Sequence, residues 1–563
     1  MRPARTAVPE PVDPATVSPS APRRATKQLG LALLCLAWIA LGLVGRDPWK
    51  TEDAITFAVA WEMAQRGDWL VPHVAQELAF SEPPLVPWLA AASLALFTPL
   101  LDAPDAARLA VGALLALLLA FTAFASRELN GRALRWMPVL IVVGTVGLFD
   151  RAHHLSGELG LAVAVIAAIY AVALALRRPM LGGVLLGIAT AGAFLAGSWL
   201  GLLWTLPPAL SLPWLGAQWR SRSYAATVAL AIVVATPLAA AWPLALRARS
   251  GGLFEAWLAA EPVTALLPFA AGSGAPDPVW LAKNLVWFAW PAVPLIAWTA
   301  WIRARGFNGG ARAPGVVAPA VWSAWMLLVL AAMPEPRLMQ LLPLVAPLAL
   351  LAALEVDTLK RSHSAALDWF GILTFGIVAI ALWAFWIDAY FNGMSARVAI
   401  LLRDSETGYG TSFRLRAVVA ALLLTALWVV VVRPARRSNR RTVLNWAAGM
   451  TLIWGLSSTI WLPYVDARRT YQAIGQSLGH QRVDSGCIAR RDVGLAQRAL
   501  FYHFAGVVTV PEAAPGAARC PMLLVQYGRL PDGTPPLPGY AIAWEGSRRG
   551  DRTERHVLYR RQP

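Results

Sequence analysis

Apolar stretches recur along the chain, separated by short polar segments. They fall near 29–45, 107–125, 136–149, 159–176, 180–195, 198–215, 224–244, 279–301, 315–333, 338–354, 367–390, 416–433 and 444–463. A bilayer span takes roughly 20 apolar residues, so the pattern predicts an all-α polytopic protein with about thirteen transmembrane helices. One further run, 83–100, is apolar but does not fit as a span. Arginine clusters at Arg127/Arg132/Arg135, Arg177/Arg178, Arg220/Arg222, Arg303/Arg305/Arg312, Lys360/Arg361 and Arg433/Arg436/Arg437/Arg440/Arg441 all belong on the cytoplasmic side. Counting 83–100 as a span would put the Arg127 cluster outside. It is therefore read as a helix that dips into or lies on the outer face. Residues 1–27, rich in Pro, Ala, Arg and Thr, read as a disordered cytoplasmic tail. The membrane region then runs over 28–463 with an outer loop at 46–106. The mixed pattern of 464–563 predicts a small α/β domain on the outer, periplasmic side.

Composition agrees and narrows the classes. Apolar residues make up 57% of the 563 positions and charged ones 14%, with a mean hydropathy of +0.53. A soluble chain of this length needs more charge to cover its surface. The 27 Trp cluster at the ends of apolar runs, where an indole sits at headgroup level. A net charge of +17 would suggest nucleic acid in a soluble protein, but here the arginines lie between spans and point to lipids and phosphates instead. Cys35 lies in the first apolar run. Cys487 and Cys520 lie in the outer domain and can pair if it faces an oxidising compartment; two unpaired thiols are the alternative.

Candidate chemistry gathers in the first outer loop. Thr51 is placed to cap a helix whose first turn carries Glu52 and Asp53. Then follow Glu62-Met63, Gly67-Asp68-Trp69-Leu70-Val71-Pro72 and Glu82-Pro83-Pro84-Leu85-Val86-Pro87-Trp88. In order and spacing this stretch resembles the GT-C superfamily, and within it the bacterial branch of lipid A aminoarabinose transferases and protein O-mannosyltransferases. Their pattern runs Asp-Glu-x-Arg-Tyr-Ala, Glu-Met, Gly-Asp-Trp-x-Val-Pro and Lys-Pro-Pro-Leu-x-x-Trp. Counting back from Glu62 sets Glu52 at the family's catalytic Asp and Asp53 at its neighbouring Glu, so either carboxylate is a candidate base. Ile55 and Thr56 stand where the family has Arg-Tyr, Glu82 where it has Lys, and Ala196-Gly197 where it has Lys-Gly.

The resemblance implies further sites. A second acidic residue belongs before the fourth span, where Glu158 stands, with Asp150 as runner-up. His153 and His154 with Glu158 form the one loose cluster for a divalent metal. Solvated histidines are the commoner reading, and no cofactor is expected. Arg247, Arg249 and Glu261 fall in a later outer loop. Arg337, in Pro334-Glu335-Pro336-Arg337, is the first candidate to grip a phosphate through its guanidinium fork. Glu82 and Trp88 complete the substrate-binding candidates. The resemblance thus implies an inverting glycosyltransferase of the bacterial inner membrane, working on the periplasmic side. Its partners would be a polyprenyl-phosphate-linked sugar donor, membrane lipids, and a lipid, glycan or protein acceptor. Two readings compete: a transporter or flippase of a lipid-linked substrate, for which paired broken helices in two halves are expected, and an inactive relative that binds carrier lipid.

Overall fold

The computed structural model describes residues 21–261, 277–333, 336–401, 413–433, 438–481, 486–529, 535–551 and 553–562. Most of the tail, with Pro334 and Glu335, lies outside them. The first helix is Ala21–Ala40, so 21–27, assigned to the tail from sequence, are helical; Ala, Arg and Lys are good helix formers.

Seven helices among the described residues are long and apolar enough to cross a membrane, or eight if one bent pair is a single span. They are Ala103–Asn130, Gly157–Ala175, Pro179–Leu215, Arg222–Arg249, Pro314–Ala332, Arg361–Asn392 and Leu415–Val432. The expected runs 29–45 and 338–354 appear as shorter apolar helices. Three other runs depart from simple spans. Residues 136–149 form only a short helix, Met137–Val143, and a 3₁₀ turn, Val146–Leu148, separated by Gly144. Residues 279–301 break into Pro278–Phe288 and Ala292–Ala304, bent by 98° where Trp290-Pro291 interrupts the helix. The third case is Pro179–Leu215, a nominal single helix broken at Gly197 and Ser198, where Ser198 has φ 52°. Its halves fold back on each other: a methyl on Gly201 would lie 1.9 Å from the Ala193 carbonyl oxygen. Trp219, just past the second half, donates to Val172, just before the first. Both ends of this hairpin therefore lie at one end of the molecule.

Tryptophans close such breaks. The indole N–H of Trp446 donates to Gly144 O (2.7 Å), Trp454 to Leu41 O (2.9 Å) and Trp325 to Leu203 O (2.8 Å). The first two carbonyls lie at helix ends, and the third sits four residues before Pro207, which has no N–H to give it. Such free carbonyls are costly in an apolar interior, and an indole satisfies them while filling space. Gly157–Ala175 is the centre of the bundle and nearly all buried. Arg361–Asn392 and Leu415–Val432 lie at its edge with most of their apolar surface exposed.

The outer loop holds a helix, Glu52–Arg66, a hairpin of β1 (His73–Val74) and β2 (Glu77–Leu78), and a helix, Leu85–Phe97. Thirteen residues rise about 20 Å, too short for a bilayer. Thr51 does not cap its helix by its side chain, contrary to expectation. The Trp49 carbonyl closes the first turn by accepting from Ala54 N (3.0 Å). Gly67, at φ 70°, ends the helix in the left-handed conformation that favours glycine.

The C-terminal region carries a five-stranded sheet, with β3 (Ile488–Arg491), β4 (Thr509–Pro511), β5 (Met522–Tyr527), β6 (Tyr540–Gly546) and β7 (Arg555–Arg561). The order is β4-β3-β5-β7-β6, parallel across the first three strands and antiparallel beyond. Cys487 and Cys520 are joined by a disulfide one or two residues before β3 and β5, which run side by side.

Candidate active site

The outer loop helix sits between two charged regions. On one side is a cavity of about 260 Å³ lined by Glu52, Glu82, Glu158, Glu261 and Arg337, and by the Gly197 break. Glu52 opens the Glu52–Arg66 helix and Glu158 stands in the first turn of Gly157–Ala175, so both carboxylates sit at the positive ends of helix dipoles. Glu82 precedes the Pro83-Pro84 pair that starts the Leu85 helix, and Thr56 Oγ1 donates to it at 2.9 Å. Burial, with the charge of Glu158, pushes the Glu82 carboxyl up to about 8. Glu261 follows the Gly251–Ala260 helix, held through its carbonyl by Trp199 Nε1 at 3.0 Å. Burial pushes its carboxyl up to about 7. Arg337 begins the Leu338–Leu344 turn, its N–H donating to Gln340 Oε1 at 2.8 Å. Its guanidinium is exposed and has no carboxylate within ion-pair distance among the described residues.

On the other side lies Asp53, next in sequence to Glu52 yet away from the cavity. Its carboxylate accepts from Arg46 Nη1 (3.0 Å), Trp49 N (3.0 Å) and Leu155 N (2.8 Å), with Arg108 at 3.8 Å. Burial alone would raise this carboxyl, but the two guanidiniums and the N–H of Trp49 hold it well below the usual range. Arg46 also donates to His153 O, and Arg108 to Arg46 O. Because Leu155 is three residues before Glu158, this network fixes the Glu52 helix against the segment that carries Glu158.

The remaining candidates are spread out. Asp150 is engaged by Arg469 (2.9 Å) and Arg151. His153 donates or accepts at Trp38 O and stacks on Trp454, and burial pushes His153 down to about 3 and His154 down to about 4. Both are neutral packing groups. The described residues hold no group of three His, Cys, Asp or Glu arranged for a metal ion. Trp88 donates to Trp69 O at 2.6 Å, outside the cavity. Arg249 pairs with Asp68 (2.9 Å) and Arg247 lies over Phe254.

Sequence reasoning missed three features. One is an apolar groove of about 440 Å³ between the Gly197 hairpin and the Arg222–Arg249 helix. Phe194, Leu202, Leu206, Pro243, Leu244 and Phe254 line it, and Trp199 lines both the groove and the polar cavity. A second is Gln340, buried behind Arg337. The third is the seating of the C-terminal region on the outer loop. Lys50 Nζ reaches Glu554 (2.6 Å), and Glu77 receives both Arg490 (2.5 Å) and Arg498. Glu554 is also held by Tyr471, Gln497 (3.1 Å) and Arg548 (3.2 Å). Only the Gly-Ser pair between two apolar runs carried a trace of any of these in the sequence.

The fold, a helical membrane bundle with a small C-terminal sheet domain, is the one the first-loop motifs implied. One solved structure of similar fold is ArnT from Cupriavidus metallidurans, bound to undecaprenyl phosphate. The TM-score is 0.65 at 16% identity, over 96% of this chain and 98% of that one. The archaeal oligosaccharyltransferase AglB from Archaeoglobus fulgidus is more distant, with a TM-score of 0.52 and 11% identity over 90% of this chain and 70% of that one. In sequence the chain is similar to the undecaprenyl phosphate-alpha-4-amino-4-deoxy-L-arabinose arabinosyl transferase of Aeromonas salmonicida, 25% identical over 83% of this chain and 82% of that one. The enzyme of the same name from Pectobacterium carotovorum is 28% identical over 62% and 63%. No family model matches.

Proposed function

We propose that this protein is a membrane glycosyltransferase that moves a sugar from a polyprenyl-phosphate carrier to an acceptor on the periplasmic side, with inversion. The observation that carries the reading is the meeting at Trp199 of an apolar groove with a polar cavity holding Glu52, Glu158 and Arg337, which has no ion-pair partner among the described residues. A prenyl chain fits the groove and its phosphate the cavity, an arrangement that a carrier lipid needs and a soluble sugar nucleotide does not.

Glu52 is the base. It accepts the proton of the attacking acceptor group while that group bonds to the sugar's C1. The C1–O bond to phosphate breaks, its electron pair leaving on the phosphate oxygen. Arg337 stabilises that developing charge by a charge-assisted hydrogen bond. Glu158 orients the acceptor. Glu82, neutral at neutral pH, offers a carboxyl O–H to a sugar hydroxyl. Asp53 holds the Glu52 helix in place through Arg46 and Leu155 N. Arg247 and Arg249, at the end of the helix that walls the groove, meet membrane phosphates on the outer surface. The acceptor is a lipid, a glycan or a protein. The N-terminus faces the cytoplasm and the 464–563 domain the periplasm, where the Cys487–Cys520 bond suits an oxidising compartment.

The test is mass spectrometry of the lipid and glycan fractions from a deletion strain complemented with wild type or Glu52→Gln. A sugar lost on deletion and restored by wild type but not by the variant is the expected result. An unchanged profile on deletion overturns transfer and favours lipid binding or transport.

A further inference from the structure

At the end of the molecule opposite the cavity, a second polar pocket lies between the starts of two helices. Its volume is about 370 Å³, and Arg361, Ser364, Asp368, Ser438, Arg441 and Thr442 line it. Arg361 and Ser364 are in the first turn of Arg361–Asn392, and Arg441 and Thr442 in the first turn of Asn439–Ser458. The far end of the latter helix leads to Asp466, which accepts from Trp49 and Asp47 N beside the outer loop. The pocket is therefore on the face that the arginine clusters assign to the cytoplasm.

The charges here run against the fields of their helices. A helix N-terminus carries partial positive charge and favours Asp or Glu in its first turn. Neither helix has one, and both place arginine there instead. Some of this charge is compensated. Arg440 pairs with Asp357 (2.5 Å), and Arg441 donates to Val431 O (2.8 Å) and Arg433 O (2.6 Å). Asp368 accepts from Asn445 Nδ2 (2.8 Å), and Ser438 Oγ caps Arg441 N (3.3 Å). The Arg361 helix lacks a side-chain cap, and the exposed Arg361 has neither hydrogen bond nor ion pair among the described residues. Two cations, hydroxyl groups and the uncapped backbone N–H groups of the Arg361 helix thus converge on one open space, with Asp368 the one acid among the described lining residues.

The next turns of the same helix place the pocket at the edge of an apolar surface. Past Asp368, Trp369, Phe370, Leu373 and Ile377 are all more than half exposed. The pocket therefore opens beside the apolar, bilayer-facing side of this helix, where a lipid headgroup is within reach. We propose that this pocket binds the phosphate headgroup of an anionic glycerophospholipid of the cytoplasmic leaflet, with Arg361 as its principal ligand. The lipid would clamp the edge helices, whose packing is the sparsest in the bundle, to the base of Asn439–Ser458.

The proposal is tested on the full purified chain by native mass spectrometry after reconstitution with equal phosphatidylglycerol and phosphatidylcholine. Phosphatidylglycerol should be retained over phosphatidylcholine. Arg361→Ala should weaken that retention about five-fold, the factor one cation near an anionic surface supplies, and Arg361→Lys should largely preserve it. An unchanged thermal midpoint of Arg361→Ala in lipid-free detergent would show that the loss is not unfolding, while the midpoint gained on adding phosphatidylglycerol should shrink. Equal retention of the two lipids, or full phosphatidylglycerol retention by Arg361→Ala, would overturn it. So would inorganic phosphate alone displacing the lipid completely, since the ligand would then be a free anion. No sugar transfer is read, so this result stands or falls apart from the enzymatic reading.

Discussion

Two charged regions flank the first helix of the outer loop, and they are built in opposite ways. Around Asp53 the partners are saturated: two guanidiniums and two backbone N–H groups meet one buried carboxylate. Around Glu52 four carboxylates face one arginine across an open cavity, with few bonds among them. Saturation marks a group that holds structure, because any change there leaves a buried charge unpaired. Openness marks groups kept available for a substrate. Five other arginines, Arg249, Arg469, Arg490, Arg498 and Arg548, each have a carboxylate partner, whereas Arg337, like Arg247, has none within ion-pair distance among the described residues.

The contrast breaks if the two neighbours behave alike. Glu52→Gln should cut transfer by about 10²–10⁴-fold, the usual worth of a general base, with the thermal midpoint unmoved. Asp53→Ala should instead cost about 3–5 kcal/mol of stability, as breaking a buried pair does, read as a lowered midpoint and reduced yield. If Asp53→Ala folds normally and only activity falls, the roles are exchanged. Arg337→Ala should lower kcat by about 10²–10³-fold, by analogy with loss of one preorganised donor to developing charge, and Arg337→Lys should recover part of it.

The smallest effect sharpens the comparison through pH. The Glu82 carboxyl rises from 4.5 in the unfolded chain to about 8 in the fold. Between those values the folded protein keeps a proton the unfolded chain has lost, so stability is greatest below pH 4.5 and declines toward pH 8. Asp53, shifted downward, works in the opposite sense: its contribution is complete above 3.8 and is lost only in acid. Glu82→Gln should therefore flatten the fall of the thermal midpoint between pH 5 and 8 and leave the acid limb alone.

Much of this was legible in the sequence, for local reasons. The Glu62-to-Trp88 motifs keep their spacing because a helix, a hairpin and a second short helix follow without interruption. Counting back from Glu62 therefore reached the Glu52–Asp53 pair, without telling which of the two lines the cavity. The arginine clusters excluded 83–100 as a span, and the Leu85–Phe97 helix is too short for one. What stayed hidden depends on three-dimensional direction. Residues 52 and 53 are 100° apart around a helix, and sequence does not say which side meets Leu155. The 98° bend at Pro291 and the reversal at Ser198 arise inside runs that hydropathy reads as continuous. Lys50 and Glu554 are 504 positions apart, and no periodicity connects them.

That last contact ties the loop's geometry to the order of synthesis. Lys50, two residues before Glu52, is made 504 residues ahead of the carboxylate that holds it. Glu77, in the same loop, waits for Arg490 and Arg498 in the same way. A nascent chain stalled in its last spans would already display every cavity carboxylate, yet its outer loop would lack the floor it rests on. Seating of this loop is thus deferred until residue 554 has been made, and a chain stopped short of it leaves the loop loose.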